Sequence, residues 1–332
     1  MSLDPGAASF ETGKGHRSVL LLSEADVEAL LDPATLLDAL ADGFRALARG
    51  EVQSPPRPEI TVPGVGFSLA MSAWRPGSQI CVKIVNVFEG NLDQGLPNHL
   101  AMINLFAPDT GATTCVMDGT YITGIRTAAA AVLSTRLLSR PGSSVATIVG
   151  AGVQAREHLR MLPLVRQFER INVCSLVDDH AVRLAAECEE AVARADLDAA
   201  IRESDVVCLA THSPTSVIDP SWVQPGTHVS SVGYYPPNGE LPPDLARDNQ
   251  LFVEHLDALR PPPVGCAELS DLDGSAVTTL GDVLTGRAPG RTDTDAITVY
   301  KAMGIGMEDL VAANLAYDRA VREGRPAQSM TW

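Results

Sequence analysis

Two glycines and an alanine at the end of an apolar run have the types and spacing needed to hold a phosphate. Val145-Ala-Thr-Ile-Val149 leads directly into Gly150-Ala-Gly152-Val-Gln-Ala155, a G-x-G-x-x-A turn between a buried strand and a helix. Gly150 permits the tight turn, Gly152 lets the backbone approach a pyrophosphate, and Ala155 lets the helix pack closely. The helix N-terminus adds N–H groups and the positive end of a dipole. The pattern alone is weak; with a strand before it and a helix after it, a dinucleotide site outweighs a ligand-free packing turn. The end of the second strand then bears on which dinucleotide. An acid there binds the ribose hydroxyls of NAD, whereas a small polar or basic group tolerates the 2′-phosphate of NADP. In Ile171-Asn-Val-Cys-Ser175-Leu-Val-Asp178 the outcome depends on where the strand stops. Asp178 reads more simply as the N-cap of the next helix, so NAD versus NADP stays open with Ser175 tilting it towards NADP.

Three cations stand out because their neighbours are apolar or rigid. Lys83 lies in Ile80-Cys-Val-Lys-Ile-Val-Asn-Val, a run whose other members suit a core, where lysine is uncommon unless it snorkels from an edge strand. Arg57 sits in Pro55-Pro-Arg-Pro and alone reads as a solvated loop arginine, while Arg126 opens the Ala-rich stretch Thr123-Gly-Ile-Arg-Thr-Ala-Ala-Ala. A planar guanidinium and an ammonium are what a small carboxylate needs in a partly dry cleft. His99, His212, Glu308 and Asp309 read as structural groups, and Tyr234 and Tyr235 as pocket wall or rim.

The whole chain limits what these groups can serve. Across 332 residues, 25 Lys and Arg face 41 Asp and Glu, for a formal charge of −16. Without a basic patch, nucleic acid and anionic membrane surfaces are excluded as partners, but a small anion in a local positive cleft is not. Six scattered cysteines, with no C-x-x-C pair and no histidine at ligand spacing, argue against a metal site or disulfide framework and suit a reducing cytoplasm. No stretch reads as a membrane span, and 1–16 reads as a disordered lead-in rather than a signal peptide.

The elements that must position the site follow from periodicity. Residues 23–48 read as two helices broken near Pro33, and 60–62, 66–71, 80–87, 101–106 and 113–117 as strands of a small α+β domain. A helix over 122–138 follows. Beyond Pro141, strands at 145–149, 171–177, 206–210, 228–232 and 251–253 alternate with helices at 157–168 and 181–193, the pattern of a Rossmann-type doubly wound parallel sheet. A long helical segment at 295–317 returns to the first domain. The expected division is 17–127 with 305–332 as the substrate and dimerisation domain, and 128–304 as the dinucleotide-binding domain.

In these residues the chain resembles the ornithine cyclodeaminase and μ-crystallin family. The resemblance is carried by Val82-Lys83, Asn91, Gly95-Leu96-Pro97, Asp109-x-Gly111, Ile122-Thr-x-x-Arg126-Thr127 and Gly150-Ala-Gly-Val-Gln154. It continues through Thr211-x-Ser213, Val232-Gly233, Glu240-Leu241, Lys301-x-x-Gly304 and Glu308-Asp309, in order along the chain. It implies a homodimer that binds a nicotinamide cofactor. Arg57 and Lys83 match positions that hold the substrate carboxylate, with Lys83 near the reacting centre; Arg126 and Thr127 match positions between substrate and cofactor. Val153 and Gln154 match contacts on the pyrophosphate side, Thr211 and Val232, with Gly233 beside it, positions next to the cofactor, and Met303 a position beside the nicotinamide.

Departures from the family refine the expectation. The cyclodeaminases carry an aspartate after Val-Gly, where Tyr235 falls here in a loop one residue shorter. Asn98 replaces a common threonine, and Ser175 an acid. The expectation is therefore an NAD(P)-dependent oxidoreductase at a carbon–nitrogen bond, an imino acid or ketimine reductase or an amino acid dehydrogenase, acting on a small anionic amino or imino acid. Arg57 and Arg126 would fix the carboxylate, and Lys83 would give the nitrogen its proton. The rivals are an ornithine cyclodeaminase that recruits another base, such as Glu240, and a catalytically silent cofactor-binding relative.

Overall fold

The hydrophobic periods separate the chain into two sheets with one buried helix between them. A computed structural model describes residues 16–235 and 239–331; residues 1–15 of the expected lead-in lie outside these, and residue 16 already belongs to a strand. The first sheet takes β1 (His16–Leu22), β2 (Glu59–Val62), β3 (Gly66–Ala73), β4 (Ile80–Val87), β5 (His99–Phe106), β6 (Thr113–Asp118) and β15 (Ala327–Thr331), in the order β15-β1-β6-β5-β4-β3-β2. Burial along β4 alternates strictly, so the period of two turns Cys81, Lys83, Val85 and Val87 to one face and Ile80, Val82 and Ile84 to the other. Helices α1 (Glu24–Leu30), α3 (Thr120–Leu138) and α9 (Gly306–Arg322) cover Lys83's face, and α2 (Pro33–Ala48) packs against α3 and α9. Asp32 caps α2 and Pro33 begins it, the break expected from sequence.

The second sheet is parallel throughout. It takes β7 (Val145–Val149), β8 (Arg170–Cys174), β9 (Ala191–Ala193), β10 (Val206–Leu209), β11 (His228–Ser231), β12 (Gln250–Val253), β13 (Val277–Thr279) and β14 (Thr298–Lys301), ordered β13-β12-β14-β11-β10-β7-β8-β9. Helices α4 (Val153–Met161), α5 (Asp178–Ala185), α6 (Leu197–Arg202), α7 (Pro243–Arg247) and α8 (Leu280–Leu284) lie among them. Strand order reverses between β7 and β10, and the crevice beyond the carboxyl ends of strands at such a point is where doubly wound sheets bind ligands. Helix α3 packs against helices of the first lobe and against α4, β11 and β14 of the second. Its run 128–133 is fully buried, which the small alanines make possible.

Several element boundaries differ from the sequence reading. The helix expected at 157–168 is α4, four residues earlier, because Gly152 begins it and Pro163 cannot continue it. The strand expected to reach residue 177 stops at Cys174. The helix expected at 181–193 ends at Ala185; the chain turns through its glutamates and adds β9 to the edge at β8. The helical segment expected from residue 295 is instead β14, seated between β11 and β12, followed by Gly304 at a φ of 73° and only then α9. No helix of the described residues is long and apolar enough to cross a membrane.

Candidate active site

The glycine turn lies at the crevice where the strand order reverses. Gly150 has a φ of 121°, and a β-carbon there would stand 2.3 Å from the Ala210 carbonyl oxygen beyond β10, so only glycine fits. A β-carbon on Gly152 would meet nothing within 4 Å. Helix α4 starts at exposed Val153 without a side-chain cap. Open space over an uncapped helix start is the shape a pyrophosphate requires, so these residues fit a dinucleotide. Ser175 is the first residue past β8, where the ribose would be read. Asp178 is not an N-cap as expected: Val177 occupies that position, and Asp178 opens α5.

Lys83 and Arg126 meet on the acids that begin α9. Lys83 Nζ, fully buried, donates to Asp309 Oδ1 at 2.8 Å and to Thr123 Oγ1 at 3.3 Å. Arg126 Nε donates to the same Asp309 oxygen at 3.1 Å, and its Nη1 donates to Glu308 Oε2 at 2.6 Å. Glu308 and Asp309, read as dipole, cap or interdomain pairs, stand in the first turn of α9 and pair with residues distant in sequence but of the same first lobe, and each keeps one buried oxygen without a hydrogen bond among the described residues. Burial and the neighbouring Arg126 lower Lys83 to about 8, against the attraction of Asp309. Burial raises Glu308 to about 8. For Arg126, burial opposes the charge but Asp309, Glu308 and Glu254 outweigh it and raise its pKa. Lys83, Arg126 and Arg57 thus lie among three buried acids, Asp309, Glu308 and Glu254, and burial pushes Glu308 and Glu254 towards their neutral forms, which leaves room for a small anion to pair with the cations.

Arg57 is engaged differently from the expectation of a free carboxylate clamp. Its Nε donates to the Pro263 carbonyl at 3.0 Å, Nη1 to those of Met303 at 2.8 Å and Gly304 at 3.2 Å, and Nη2 to that of Val264 at 3.5 Å. Of five guanidinium hydrogens, about one remains for a substrate. From the other side, buried Glu254 accepts from the amides of Met303, at 2.8 Å, and Gly304. Arg57 and Glu254 therefore pin the segment that carries Met303. A β-carbon on Gly304 would lie 2.5 Å from Arg126 Nη1, so the segment also seats that guanidinium. Thr127, the next residue of α3, is buried beside it.

Thr211, Val232 and Gly233 gather around Glu240. The Thr211 amide and hydroxyl each donate to Glu240 Oε2 at 2.6 Å. The Ser231 hydroxyl and the amides of Val232 and Gly233 donate to Oε1 at 3.0, 3.2 and 2.6 Å. Fully buried and occupied by five donors, Glu240 cannot act as the substitute base. Gln154 Nε2 reaches the Thr123 carbonyl at 3.5 Å, so Thr123 alone separates Lys83 from the start of α4. The Tyr235 ring packs edge-on against His212, centroids 4.8 Å apart, and His212 Nε2 bonds Glu89 Oε1 across the lobes at 2.8 Å. Tyr234 packs at the rim of the second core, and burial raises it to about 12.

Glu254 and Glu268 were not among the residues singled out from sequence, and Lys301 entered only within the motif Lys301-x-x-Gly304, with no role attached. An acid directly after the apolar run 251–253 was a legible signal for Glu254; Lys301 was hidden by the helical reading of its strand. Among the described residues no group of three or more metal-ligating side chains is placed to hold a metal ion.

Glycine turn, reversal of strand order and a buried lysine–arginine cluster beside them define a Rossmann-type protein of the nucleotide-binding kind. The chain belongs to the ornithine cyclodeaminase/mu-crystallin family, which residues 17–324 match. It is 32% identical over 310 residues to the ketimine reductase mu-crystallin of Mus musculus, covering 91% of this chain and 97% of that protein. It is 30% identical over 308 residues to the alanine dehydrogenase of Archaeoglobus fulgidus, covering 91% and 95%. Among solved structures, Thermococcus litoralis Δ1-pyrroline-2-carboxylate reductase in complex with NADH and L-proline superposes with a TM-score of 0.87 at 31% identity, over 93% of this chain and 99% of that one.

Proposed function

We propose that this chain is an NAD(P)-dependent oxidoreductase that interconverts a small imino acid or cyclic ketimine and its amino acid. The observation that carries this reading is Thr123, whose hydroxyl accepts from Lys83 and whose carbonyl accepts from Gln154 at the start of α4. A buried ammonium and the dinucleotide turn are thereby held one residue apart. The bound nicotinamide supplies or accepts the hydride. Arg126, with Nη2 free of hydrogen bonds among the described residues, and the remaining Arg57 hydrogen hold the carboxylate; Lys83 gives its third proton to the nitrogen as the imine is reduced, or takes it back in oxidation. Thr127, Val153, Gln154, Thr211, Val232, Gly233 and Met303 line the cofactor's path.

We place NADP before NAD because β8 ends at Cys174 and offers Ser175, not an acid, to the ribose. In steady-state kinetics on a panel of cyclic and linear imino acids, reduction is expected with NADPH favoured over NADH. Ser175→Asp is expected to shift that ratio towards NADH by roughly tenfold, the worth of one charge-assisted hydrogen bond. Ammonia and proline formed from ornithine without net NADH would identify the cyclising lyase instead, and cofactor binding without turnover on any substrate the silent relative.

Residues 17–127 with 305–332 form the substrate and pairing domain in this reading, and 128–304 the nucleotide domain. The outer face of the first sheet supports a homodimer. Register places Leu21 beside Val116, and Met102 beside Ile84, on the face away from the helices; Met102 is 54% exposed, and an apolar patch of this kind marks an interface. Met102→Glu is expected to convert a dimer to a monomer in sedimentation velocity; an unchanged species would remove this face from the interface. Six unpaired cysteines, five of them buried, suit a cytoplasmic location.

A further inference from the structure

We infer that Glu240 is a positioning residue that fixes the cofactor-facing ends of β10 and β11 in one geometry. Its chemistry differs from that of the acids around Lys83, because every near donor is turned inward on it. Thr211, just past the end of β10, gives it an amide and a hydroxyl; Ser231, Val232 and Gly233, at the end of β11, give it a hydroxyl and two amides. Adjacent parallel strands share their ladder hydrogen bonds only as far as the Val232 amide, which donates to the Leu209 carbonyl at 3.1 Å as well as to Glu240. Beyond that point the two chains diverge into loops, and the carboxylate replaces the lost ladder with charge-assisted bonds.

A second layer locks the clamp from behind. Buried Lys301 Nζ, at the end of β14, donates to the Gly233 carbonyl at 2.6 Å, to Ser231 Oγ at 3.2 Å and to Glu268 Oε1 at 3.3 Å. Glu268 Oε1 in turn accepts the Leu241 amide at 3.1 Å, next to Glu240. Gly233 has no room for a side chain: a β-carbon would be 2.2 Å from the Thr211 carbonyl oxygen and 2.6 Å from the Glu240 carboxyl carbon. Lys301 pairs with Glu268 rather than with Glu240 itself, and through its bonds to Gly233 and Ser231 the three strand ends β10, β11 and β14 are tied into one unit. The effect on the nicotinamide side of the crevice rests on the cofactor reading above; the clamp itself does not.

Glu240→Gln keeps the shape but offers one acceptor oxygen for five donors. In the cofactor-free protein, hydrogen exchange is expected to lose at least tenfold protection at the Thr211 and Gly233 amides, which have Glu240 as their acceptor, with the Cys208 and Ser230 amides inside the strands unchanged. By calorimetry the cofactor dissociation constant is expected to rise tenfold or more, while the imino acid KM at saturating cofactor stays within threefold. Thr211→Val, which removes only the hydroxyl bond, is expected to show both effects more weakly and decides the matter if Glu240→Gln does not fold. Wild-type exchange and wild-type affinity in the folded variants would overturn the inference. Altered exchange with wild-type affinity leaves a clamp without a cofactor role and equally overturns it. A wild-type protein that binds neither NADH nor NADPH instead removes the cofactor reading, while the exchange arm still tests the clamp.

Discussion

Lys83→Met is expected to lower kcat for imino acid reduction by about 10²–10⁴, the range of one general acid, and to leave cofactor affinity unchanged. Methionine is the chosen replacement because Lys83 is wholly buried, and a side chain of similar length leaves no cavity that would confuse lost chemistry with lost packing. Asp309 keeps Arg126 as a partner at 3.1 Å, so the variant does not strand an unpaired carboxylate. The pH profile supplies the independent check. Reduction requires the ammonium, and burial with Arg126 nearby lowers its pKa to about 8. The kcat/KM for reduction therefore falls above pH about 8, and that for amino acid oxidation, which requires the neutral amine, rises towards it. In Lys83→Met this limb disappears; any limb that remains belongs to the substrate nitrogen. A variant with wild-type turnover and profile would exclude Lys83 from proton transfer.

The same lowered value has a consequence for stability. The unfolded chain holds the lysine proton up to its ordinary value of 10.5, whereas the folded one loses it near 8. Between those values the unfolded state binds more protons, so stability contributed by this group rises with pH. Glu308 runs the other way: raised from 4.5 to about 8, it holds a proton in the folded state that the unfolded chain has lost, and its contribution falls as pH rises through that window.

Arg126→Met carries the largest expected cost in stability. Removing the guanidinium leaves Glu308 and Asp309 buried, with Lys83 as the remaining cation on Asp309 and none on Glu308. Breaking a buried ion pair from one side costs about 3–5 kcal/mol, and urea unfolding should register a loss of that order. Protonated Glu308 lessens the penalty, so the loss should shrink as pH falls below about 8. The double variant with Glu308→Gln should recover part of it, because the residues touch and their effects are coupled. Where the variant folds, KM for the imino acid should rise, and the Lys83 limb should move to higher pH, since Arg126 repels the ammonium. A limb that stays in place would show that Arg126 does not set the lysine's pKa.

Much of the frame was legible because it is local. The runs at 80–87 and 145–149 are the strands Ile80–Val87 and Val145–Val149, since alternation and continuous apolarity are written in neighbouring residues. The glycine turn is equally local: its φ values and its close approach are demands on single positions. Short runs without such context were ambiguous. Thr298-Val-Tyr-Lys301 contains too few residues to distinguish a buried strand from a helix end, and only the flanking β11 and β12 made it a strand. Lys301's part in the second layer was lost with it.

By itself, then, the sequence determined which groups could do chemistry: a phosphate turn, three cations among apolar neighbours, and no acid in the Ser175 position. Tertiary structure decided what each of them faces. Asp309 stands 226 positions from Lys83, and Met303 246 from Arg57; no periodicity records such pairs, because they form only when α9 crosses the first sheet and β14 enters the second. The same long-range packing committed most of Arg57 to backbone carbonyls, turned Glu240 from a possible base into a saturated clamp, and removed Lys83 from water. Burial and charged neighbours set a pKa, and both are properties of the folded chain alone.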